Sequence, residues 1–361
     1  MTKTNLYIDL NVLQTVPSSN INRDDTGAPK TALYGGVTRA RVSSQSWKHA
    51  IRLAFKEEHI AGTRTKEAAK LLVAALQARD TGLDEDSALS KTVEIFDATG
   101  SGKNKIKLDK NNETKALLFI SPGQINKLAE YAVNNQELDK KEIQRILKGD
   151  QSLDLALFGR MVADNPELNV EAASQVAHAV STHEVVPEYD YYTALDDMQA
   201  DDSTGAAMLG TIDFNSATLY RYANVNVREL IANLNEHDAI EGVKAFIKQF
   251  LLSMPTGKQN AFANKTLPSY VMVTLRTDTP VNLVSAFEEP VTSHDGYVAP
   301  SIQRLEDEYQ STSGFVEKPT ANFVLSKTAS QVGKQVTNLD DLVEKVAAAL
   351  TKAVQDENTN D

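Results

Sequence analysis

Alternating and helical patterns of apolar residues divide the chain into strands and helices. Residues 4–12 alternate between apolar and polar positions, which predicts a strand buried on one face. The same pattern criteria predict strands over 153–162, 174–186, 216–227, 269–276 and 321–326. They predict helices over 59–98, 123–134, 136–148, 228–235, 238–253, near 299–310 and from Thr337 onward. Because these elements interleave without a regular repeat, we expect an α+β fold with long insertions.

The segment Lys30–Lys56, KTALYGGVTRARVSSQSWKHAIRLAFK, contains six basic residues and no Asp or Glu. Its alternation places Arg39, Arg41 and Ser43 on one side of a strand, and Ser43 or Ser44 can cap the helix that follows. That helix buries Trp47, Ile51, Ala54 and Phe55 and aligns Gln45, Lys48, Arg52 and Lys56 on one surface. A helix N-terminus beside guanidinium and ammonium groups is suited to phosphate.

The distribution of charge supports a local anion site. The 361-residue chain has a net charge of −12, but residues 1–56 carry +5 and the remaining 305 residues −17. Residues 161–220 include eleven acidic residues and no Lys or Arg. The alternatives are a solvated basic face and a protein scaffold whose basic strip binds an acidic partner.

The N-terminal sequence MTKTNLYIDL lacks a signal-peptide core, and no apolar run is long enough to cross a membrane. The chain contains no cysteine, which excludes disulfides and thiolate chemistry and agrees with a reducing compartment. We therefore expect a cytoplasmic protein.

The motifs of catalysis are missing from the sequence. It has no GxxxxGK[ST] loop, no GxGxxG after a strand and no GxSxG motif. His178 and His183 are five residues apart in a strand-like segment, so we expect structural histidines rather than a shared metal. Asp24 and Asp25 could hold a divalent ion or act as acid and base, but a turn-forming NRDD loop is the stronger interpretation.

The segment 184–213 combines eight acidic residues with an unusual number of aromatic and apolar ones. A long segment of this kind is typically functional or buried in a partner. It could insert apolar side chains between bases, which requires only stacking and shape. The alternative is a β-hairpin packed on its own domain.

With these features in place, the chain resembles the backbone subunit of the type I-E CRISPR surveillance complex Cascade, the CasC family. The similarity runs over essentially the whole length. It rests on INRDD, GGVTRARVSSQSWKHAIR, LFGRM, QVAHAVSTHEV, YDYYTALDD, AMLGTIDFNSATLYRYANVN, PTGKQNAFA and FEEPV…DGYVAPSIQ, in this order.

The resemblance implies a hand-like subunit with an RRM-like (ferredoxin-like) palm, a helical fingers insertion and a β-hairpin thumb. The implied segments are palm 1–56, fingers 57–150, palm 151–183, thumb 184–213, palm and web with a C-terminal helix 214–355, and a disordered tail 356–361.

The resemblance also implies the roles of individual residues. RNA would be bound by Arg23, Arg39, Arg41, Ser43, Gln45, Lys48, Arg52, Arg160, Met161, Lys258 and Gln259. The thumb wedge would consist of Tyr191, Tyr192, Thr193, Met208 and Leu209. No catalytic residue, metal or cofactor is implied.

The implied function is to bind the guide (crRNA) in about six copies along the spacer and to kink it about every six nucleotides for pairing with target DNA. The implied partners are the CRISPR RNA, target DNA through guide pairing, further copies of the chain, and the large, small, cap and guide-processing endoribonuclease subunits, without a membrane. The competing enzymatic hypothesis is a metal-dependent ribonuclease of a related CRISPR effector that uses Asp24 and Asp25.

Overall fold

The computed structural model describes residues 5–102, 104–162, 165–194, 198 and 208–358. Over these residues the chain is a mixed α and β protein with a large, mostly antiparallel sheet. The helices are α1 Ser44–Glu57, α2 Ala68–Arg79, α3 Glu85–Asp97, α4 Pro122–Asn134, α5 Lys140–Lys148, α6 Leu153–Phe158, α7 Val227–Asn233, α8 Glu236–Leu252, α9 Gln259–Phe262, α10 Val298–Ser311 and α11 Leu339–Asn358. The strands are β1 Tyr7–Ser19, β2 Thr31–Tyr34, β3 Val37–Val42, β4 Thr63–Thr65, β5 Leu118–Ile120, β6 Ser174–Val176, β7 Ala179–Ser181, β8 Glu188–Ala194, β9 Met208–Asn226, β10 Tyr270–Arg276, β11 Ala321–Ser326 and β12 Lys334–Gln335.

The chain divides into two compact units. The first comprises residues 1–51, 176–224 and 244–361, and the second comprises 52–175 and 225–243. The first unit holds most of the large sheet, and the second holds α2 to α7. None of the helices in the described part of the chain is long and apolar enough to span a bilayer.

The large sheet has the strand order β12-β11-β10-β1-β9-β7-β3-β2, with β6 and β8 paired to β9 in addition. Its central strand β1 is antiparallel to β10 in a register that pairs Tyr7 with Arg276 and Leu13 with Tyr270. The prediction that this strand is half-buried is wrong, because its polar face is covered as well. Asp9 and Asn11 are each 1% exposed, and they accept hydrogen bonds from the hydroxyls of Tyr222 and Tyr220.

The turn between β2 and β3 requires glycine at one position. Gly35 has φ +60°, and a Cβ placed there would lie 1.6 Å from the carbonyl oxygen of Glu288. The turn is thus held directly against the backbone that follows the 3₁₀ helix Leu283–Phe287. A left-handed conformation combined with so close a backbone contact leaves room only for hydrogen.

The second unit is built on helices that share one apolar core. Leu72, Ile95, Leu128 and Ile143, one from each of the helices α2 to α5, are all fully buried in it. Helix α4 begins at a capping box in which the Ser121 hydroxyl accepts from the Gln124 N–H and the Gln124 side chain accepts from the Ser121 N–H. The short strands β4 and β5 pair antiparallel beside these helices.

The strand predicted over 153–162 is a helix, α6, followed by irregular chain. A short apolar run fits a buried helix as well as a buried strand, and the four apolar residues Leu153, Leu155, Ala156 and Leu157 of α6 are all buried. The helix ends at Gly159, whose φ of 75° suits glycine.

The segment 59–98, predicted as one helical stretch, is interrupted. It contains the strand β4 and the two separate helices α2 and α3. The Gly62-Thr63 and Thr81-Gly82 pairs lie in the interruptions, where glycine disfavours helix. At the other end of the chain, α11 continues through Asn358, so the predicted tail begins no earlier than residue 359. Residues 359–361 lie outside the described part.

Candidate nucleic-acid interface

Helix α1 has three of the four residues of the predicted buried stripe, since Ala54 is part-exposed. Trp47 is 1% exposed, and Ile51 and Phe55 are fully buried. The guanidinium of Arg221 lies over the Trp47 ring at 3.8 Å and over the Phe250 ring at 4.5 Å. Trp47 is thus confirmed as a core residue, and its indole is not available for stacking on a base.

Arg39, predicted to bind RNA, is instead fully buried. It donates hydrogen bonds to the carbonyl oxygens of Tyr34 (3.1 Å), Ser181 (2.9 Å), Phe287 (2.9 Å) and Glu288 (3.3 Å). Burial lowers the pKa of its guanidinium. The prediction for Arg39 is therefore wrong. Every nitrogen of its guanidinium donates to a backbone carbonyl of β2, of β7 or of the chain at Phe287 and Glu288, so none is available to a phosphate.

Arg41, two residues further along β3, is part-exposed. Its Nε donates to the carbonyl of Thr31 at 3.0 Å, and its Nη1 lies 3.1 Å from Nδ1 of His178. Arg41 and Lys30 line a narrow cavity of about 20 Å³ between β1, β3 and β9, together with Asn22. Within the described part of the chain, Nη2 of Arg41 has no hydrogen-bond partner, and Lys30 lines the same cavity.

The positive charge of this site also acts on His178. Burial, and then the positive charges of Arg41 and Lys30, lower the pKa of this imidazole. His178 therefore stays neutral at pH 7, and Arg41 and Lys30 supply the positive charge. Lys30 and His178 were not among the predicted contacts, although Lys30 begins the acid-free segment.

The start of α1 uses its polar groups for capping. The Ser43 N–H donates to Oδ1 of Asn22 at 2.8 Å, and the Ser43 hydroxyl faces the N–H of Ser46 at 3.4 Å. The first turn of the helix contains no acidic residue. An anion that approaches this N-terminus is therefore not repelled by a carboxylate of the first turn.

The basic row on α1 divides into two parts. Gln45 is exposed and Lys48 is part-exposed, with its pKa lowered by burial. Arg52 belongs to the second unit, where its Nε donates to Oδ2 of the fully buried Asp154 at 2.9 Å and its guanidinium lies over the Phe119 ring at 4.6 Å. Removal of Arg52 would leave a buried carboxylate without its cation, so this residue cannot serve as a clean probe of RNA binding.

The loop that contains Arg23 contacts the loop 255–259, whose sequence is PTGKQ. A Cβ on Gly257 would lie 2.7 Å from the carbonyl oxygens of Asn20 and Ile21, so the two backbones are in contact. Gly257 and Arg23 line one open depression on this surface. Arg23 and Gln259 are exposed and Lys258 is part-exposed, so the three predicted contacts remain accessible.

Asp24 forms the predicted turn. Its Oδ1 accepts hydrogen bonds from the Thr26 hydroxyl (2.7 Å), the Thr26 N–H (2.9 Å) and the Ala28 N–H (3.1 Å). The hydrogen bond from the Thr26 hydroxyl is the main reason why the pKa of Asp24 is lowered. In the part of the chain that the structure describes, no three His, Cys, Asp or Glu side chains are grouped for a metal ion.

Arg160, predicted to bind RNA, is also buried, at 5% exposure. It donates to the carbonyls of Leu168 (2.9 Å), Leu147 (2.8 Å) and Phe119 (3.1 Å) within the second unit. Burial lowers its pKa to about 10. The prediction is corrected for Arg160, whereas its neighbour Met161 is 82% exposed and remains a candidate contact.

The predicted thumb is a β-hairpin of β8 and the first part of β9. Tyr191 pairs with Thr211, Tyr192 with Gly210, Thr193 with Leu209 and Ala194 with Met208. Residues 195–197 and 199–207 of the predicted thumb lie outside the described part of the chain.

The two faces of the hairpin differ. On one face Tyr191 and Leu209 are 64% and 60% exposed. On the other face the Tyr192 ring covers Gly210 so closely that a Cβ there would lie 2.4 Å from the ring. The base of that face is anchored by Phe214, whose ring lies 5.7 Å from that of Phe262.

Comparisons with known proteins give the relatives of this fold. The chain is similar to a chain of a solved structure described as a CRISPR RNA-guided surveillance complex, pre-nicking, at 30% identity and a TM-score of 0.83, over 95% of this chain and 100% of that chain. It is also similar to a chain of a structure described as a CRISPR RNA-guided surveillance complex, at 28% identity and a TM-score of 0.73, over 95% and 99% of the two chains. A comparison with curated proteins finds no match. The profile of the CT1975-like protein family matches residues 8–350, and the chain belongs to that family.

Proposed function

We propose that this chain is a backbone subunit of a Cascade-type surveillance complex and that it binds the guide RNA. The observation that carries the proposal is the acid-free segment Lys30–Lys56, whose Lys30 and Arg41 line one cavity, in a chain that is similar to a chain of a CRISPR RNA-guided surveillance complex over 95% of its length. Guanidinium and ammonium groups beside a helix N-terminus bind phosphate oxygens without reading sequence. Base pairing of the guide then supplies the sequence specificity.

The finer architecture is also part of the proposal. We assign the complex to type I-E, the sheet unit to an RRM-like palm, the helical unit to the fingers and the β8–β9 hairpin to the thumb. About six copies would follow one guide, and each thumb would displace about every sixth base from the path of pairing. The other partners would be the large, small, cap and guide-processing subunits, and the complex would work in the cytoplasm.

The proposed RNA contacts are a revised subset of the predicted ones. Arg23, Arg41, Gln45, Lys48, Lys258, Gln259 and Met161 have accessible side chains and are kept. Ser43 contributes through the helix N-terminus that it caps. Arg39 and Arg160 are removed from the set, and Arg52 is assigned first to its ion pair with Asp154.

We propose that the subunit is not an enzyme. The Oδ1 atom of Asp24 already accepts three hydrogen bonds from its own turn, which supports a structural role for this carboxylate. A nuclease role is tested directly with Mg²⁺ and complementary RNA, because cleavage that Asp24→Ala abolishes would contradict the proposal.

The guide-binding role is tested by Arg41→Glu combined with Lys48→Glu. We expect the wild-type protein to purify with RNA, seen in its 260/280 nm absorbance ratio and native mass, and the variant to lose it. Lys318→Glu with Lys327→Glu makes the same change in net charge at exposed residues near the ends of β11 and should retain the RNA. A variant that folds, as judged by thermal unfolding, and still carries wild-type amounts of RNA would overturn the proposal.

A further inference from the structure

Arg41 has a neighbour that can change its own charge. The Arg41 N–H donates to the Lys30 carbonyl at 2.9 Å, and Arg41 pairs with Val180 in the antiparallel ladder of β3 and β7. His178 precedes Val180 by two residues, so its side chain lies on the same side of the sheet as that of Arg41. Lys30, Arg41 and His178 thus come from three neighbouring segments and form one group, the His178 cluster.

A hydrogen bond within the His178 cluster fixes the tautomer of the imidazole. Nη1 of Arg41 lies 3.1 Å from Nδ1 of His178. A guanidinium can only donate, so Nδ1 accepts, and the proton of the neutral ring is on Nε2. His178 is exposed, and its Nε2 has no hydrogen-bond partner in the described part of the chain. This N–H is therefore available to a ligand beside Arg41.

The charges that act on His178 within the described chain are positive. They belong to Arg41 of β3 and to Lys30, which precedes β2. Strands β6 and β7, on either side of His178 in the chain, contain no charged residue. In the neighbouring part of β9 the charged residue is Arg221, which is buried and donates to Gln14. No carboxylate in these elements is placed to stabilise a protonated His178.

A phosphate group would reverse this balance. Protonation of Nδ1 replaces the hydrogen bond from Arg41 by two N–H donors that face each other at 3.1 Å, which opposes it while no anion is bound. A phosphate oxygen can accept from both donors, and its negative charge favours the imidazolium. The proton comes from solvent, so phosphate binding at the His178 cluster is coupled to proton uptake.

We propose that His178 is a further phosphate contact of the guide site and that it takes up a proton from solvent when RNA binds. The inference rests on the proposed guide-binding function and adds to it a residue and a pH dependence. The Arg41–His178 hydrogen bond belongs to the free protein, and in the RNA complex both side chains donate to the RNA backbone. The affinity for RNA therefore rises as the pH falls from above the pKa of the RNA-bound imidazole to below that of the free imidazole.

The test uses the full-length protein, freed of co-purified RNA by ribonuclease and high salt, and a fluorescent single-stranded RNA of random sequence. For the wild type we expect the affinity to rise by about fivefold or more between pH 8 and pH 6 at constant ionic strength. His178→Asn should bind within about threefold of the wild type at pH 8 and gain less than about twofold at pH 6. The matched controls His49→Asn and His237→Asn, at exposed positions of α1 and α8, should keep the wild-type pH dependence.

Calorimetry measures the proton directly. At pH 6.5, the heat of RNA binding in two buffers of different ionisation enthalpy should show proton uptake by the wild type and by His237→Asn, and markedly less by His178→Asn. A residue that only orients Arg41 would lower the affinity equally at both pH values and leave the proton uptake unchanged. That result would overturn the proposal.

The outcomes separate this inference from the guide-binding function. A wild-type protein that binds no RNA at either pH contradicts both. If Arg41→Glu/Lys48→Glu abolishes RNA binding but the wild-type affinity is independent of pH, only the role of His178 fails. A pH dependence that His178→Asn retains, or that His49→Asn removes instead, overturns that role as well.

Discussion

The centre of the large sheet and the β8–β9 hairpin invert the usual placement of charged and apolar side chains. In the sheet, Asp9, Arg39 and Arg221 are at most 1% exposed. On the hairpin, Tyr189, Tyr191 and Leu209 are each at least 60% exposed. Buried charges and clustered exposed apolar groups are the two departures that call for an explanation in a folded protein.

The explanations differ between the two regions. The buried arginines find partners within the chain. Arg39 donates to four backbone carbonyls from all three guanidinium nitrogens. Arg221 donates to Gln14 at 2.5 Å and stacks on two aromatic rings, although its Nε has no hydrogen-bond partner. The exposed faces of the hairpin find no comparable cover in the described chain. The buried charges of the sheet therefore serve folding, whereas the exposed apolar groups of the hairpin remain accessible.

The largest effect expected from this comparison is that of Arg39→Met. The substitution leaves the carbonyls of Tyr34, Ser181 and Phe287 buried without a donor, so we expect a loss of about 3–5 kcal/mol in the free energy of unfolding. Arg41→Met, at an accessible position of the same strand, should cost about 1 kcal/mol or less. Urea unfolding of the two variants measures the difference, and equal losses would contradict the assignment of Arg39 to the fold.

The next effect is a pH dependence that arises from Asp9. Burial raises the pKa of its carboxyl to about 6, against the lowering effects of the Tyr222 hydroxyl and Arg276. Since the pKa in the folded state exceeds the unfolded value of 3.8, the contribution of Asp9 to stability is complete below that value and is lost as the pH rises through about 6.

Asp9→Asn removes this titration. Between pH 4 and pH 7 we expect the stability of the variant relative to the wild type to improve by roughly 2–3 kcal/mol. Asp24→Asn is the control of opposite sign, because the pKa of Asp24 is lowered in the folded state. Its contribution to stability is complete above the unfolded value of 3.8 and is lost as the pH falls below that value, so the stability of Asp24→Asn relative to the wild type should change below pH 4 and stay nearly constant between pH 4 and pH 7. A constant difference between Asp9→Asn and the wild type would show that Asp9 does not titrate in this range.

Sequence patterns predicted the elements whose periodicity is long and regular. Helices α1, α4, α8, α10 and α11 and strands β3, β10 and β11 lie within a few residues of their predicted positions. The helix at 153–158 was predicted as a strand, because four buried apolar residues in a short segment carry no period. The two-residue strand β12 was not predicted, since it is defined only by its pairing with β11.

The site was less predictable than the fold. Alternation placed Arg39 and Arg41 on the same side of β3, but it could not show that Phe287 and Glu288, some 250 residues later, would cover only Arg39. The same limit applies to Arg160, whose carbonyl partners include Phe119, 41 residues earlier in the chain. Charge in a sequence reveals a cation, whereas contacts distant in the chain decide whether the fold or a ligand uses it.

The smallest effect on stability, and the sharpest contrast with Arg39, is expected on the hairpin. Tyr191 and Leu209 lie on one exposed face, so Tyr191→Ser with Leu209→Ser should change the free energy of unfolding by less than about 0.5 kcal/mol. If this face displaces guide bases, the variant should still purify with RNA, but the nuclease protection of the guide should lose its repeat of about six nucleotides.

Gly210→Ala is the matched control for hairpin structure, because its Cβ would collide with the Tyr192 ring. An unchanged footprint would refute the wedge, and a large loss of stability would show that the exposed face belongs to the fold after all.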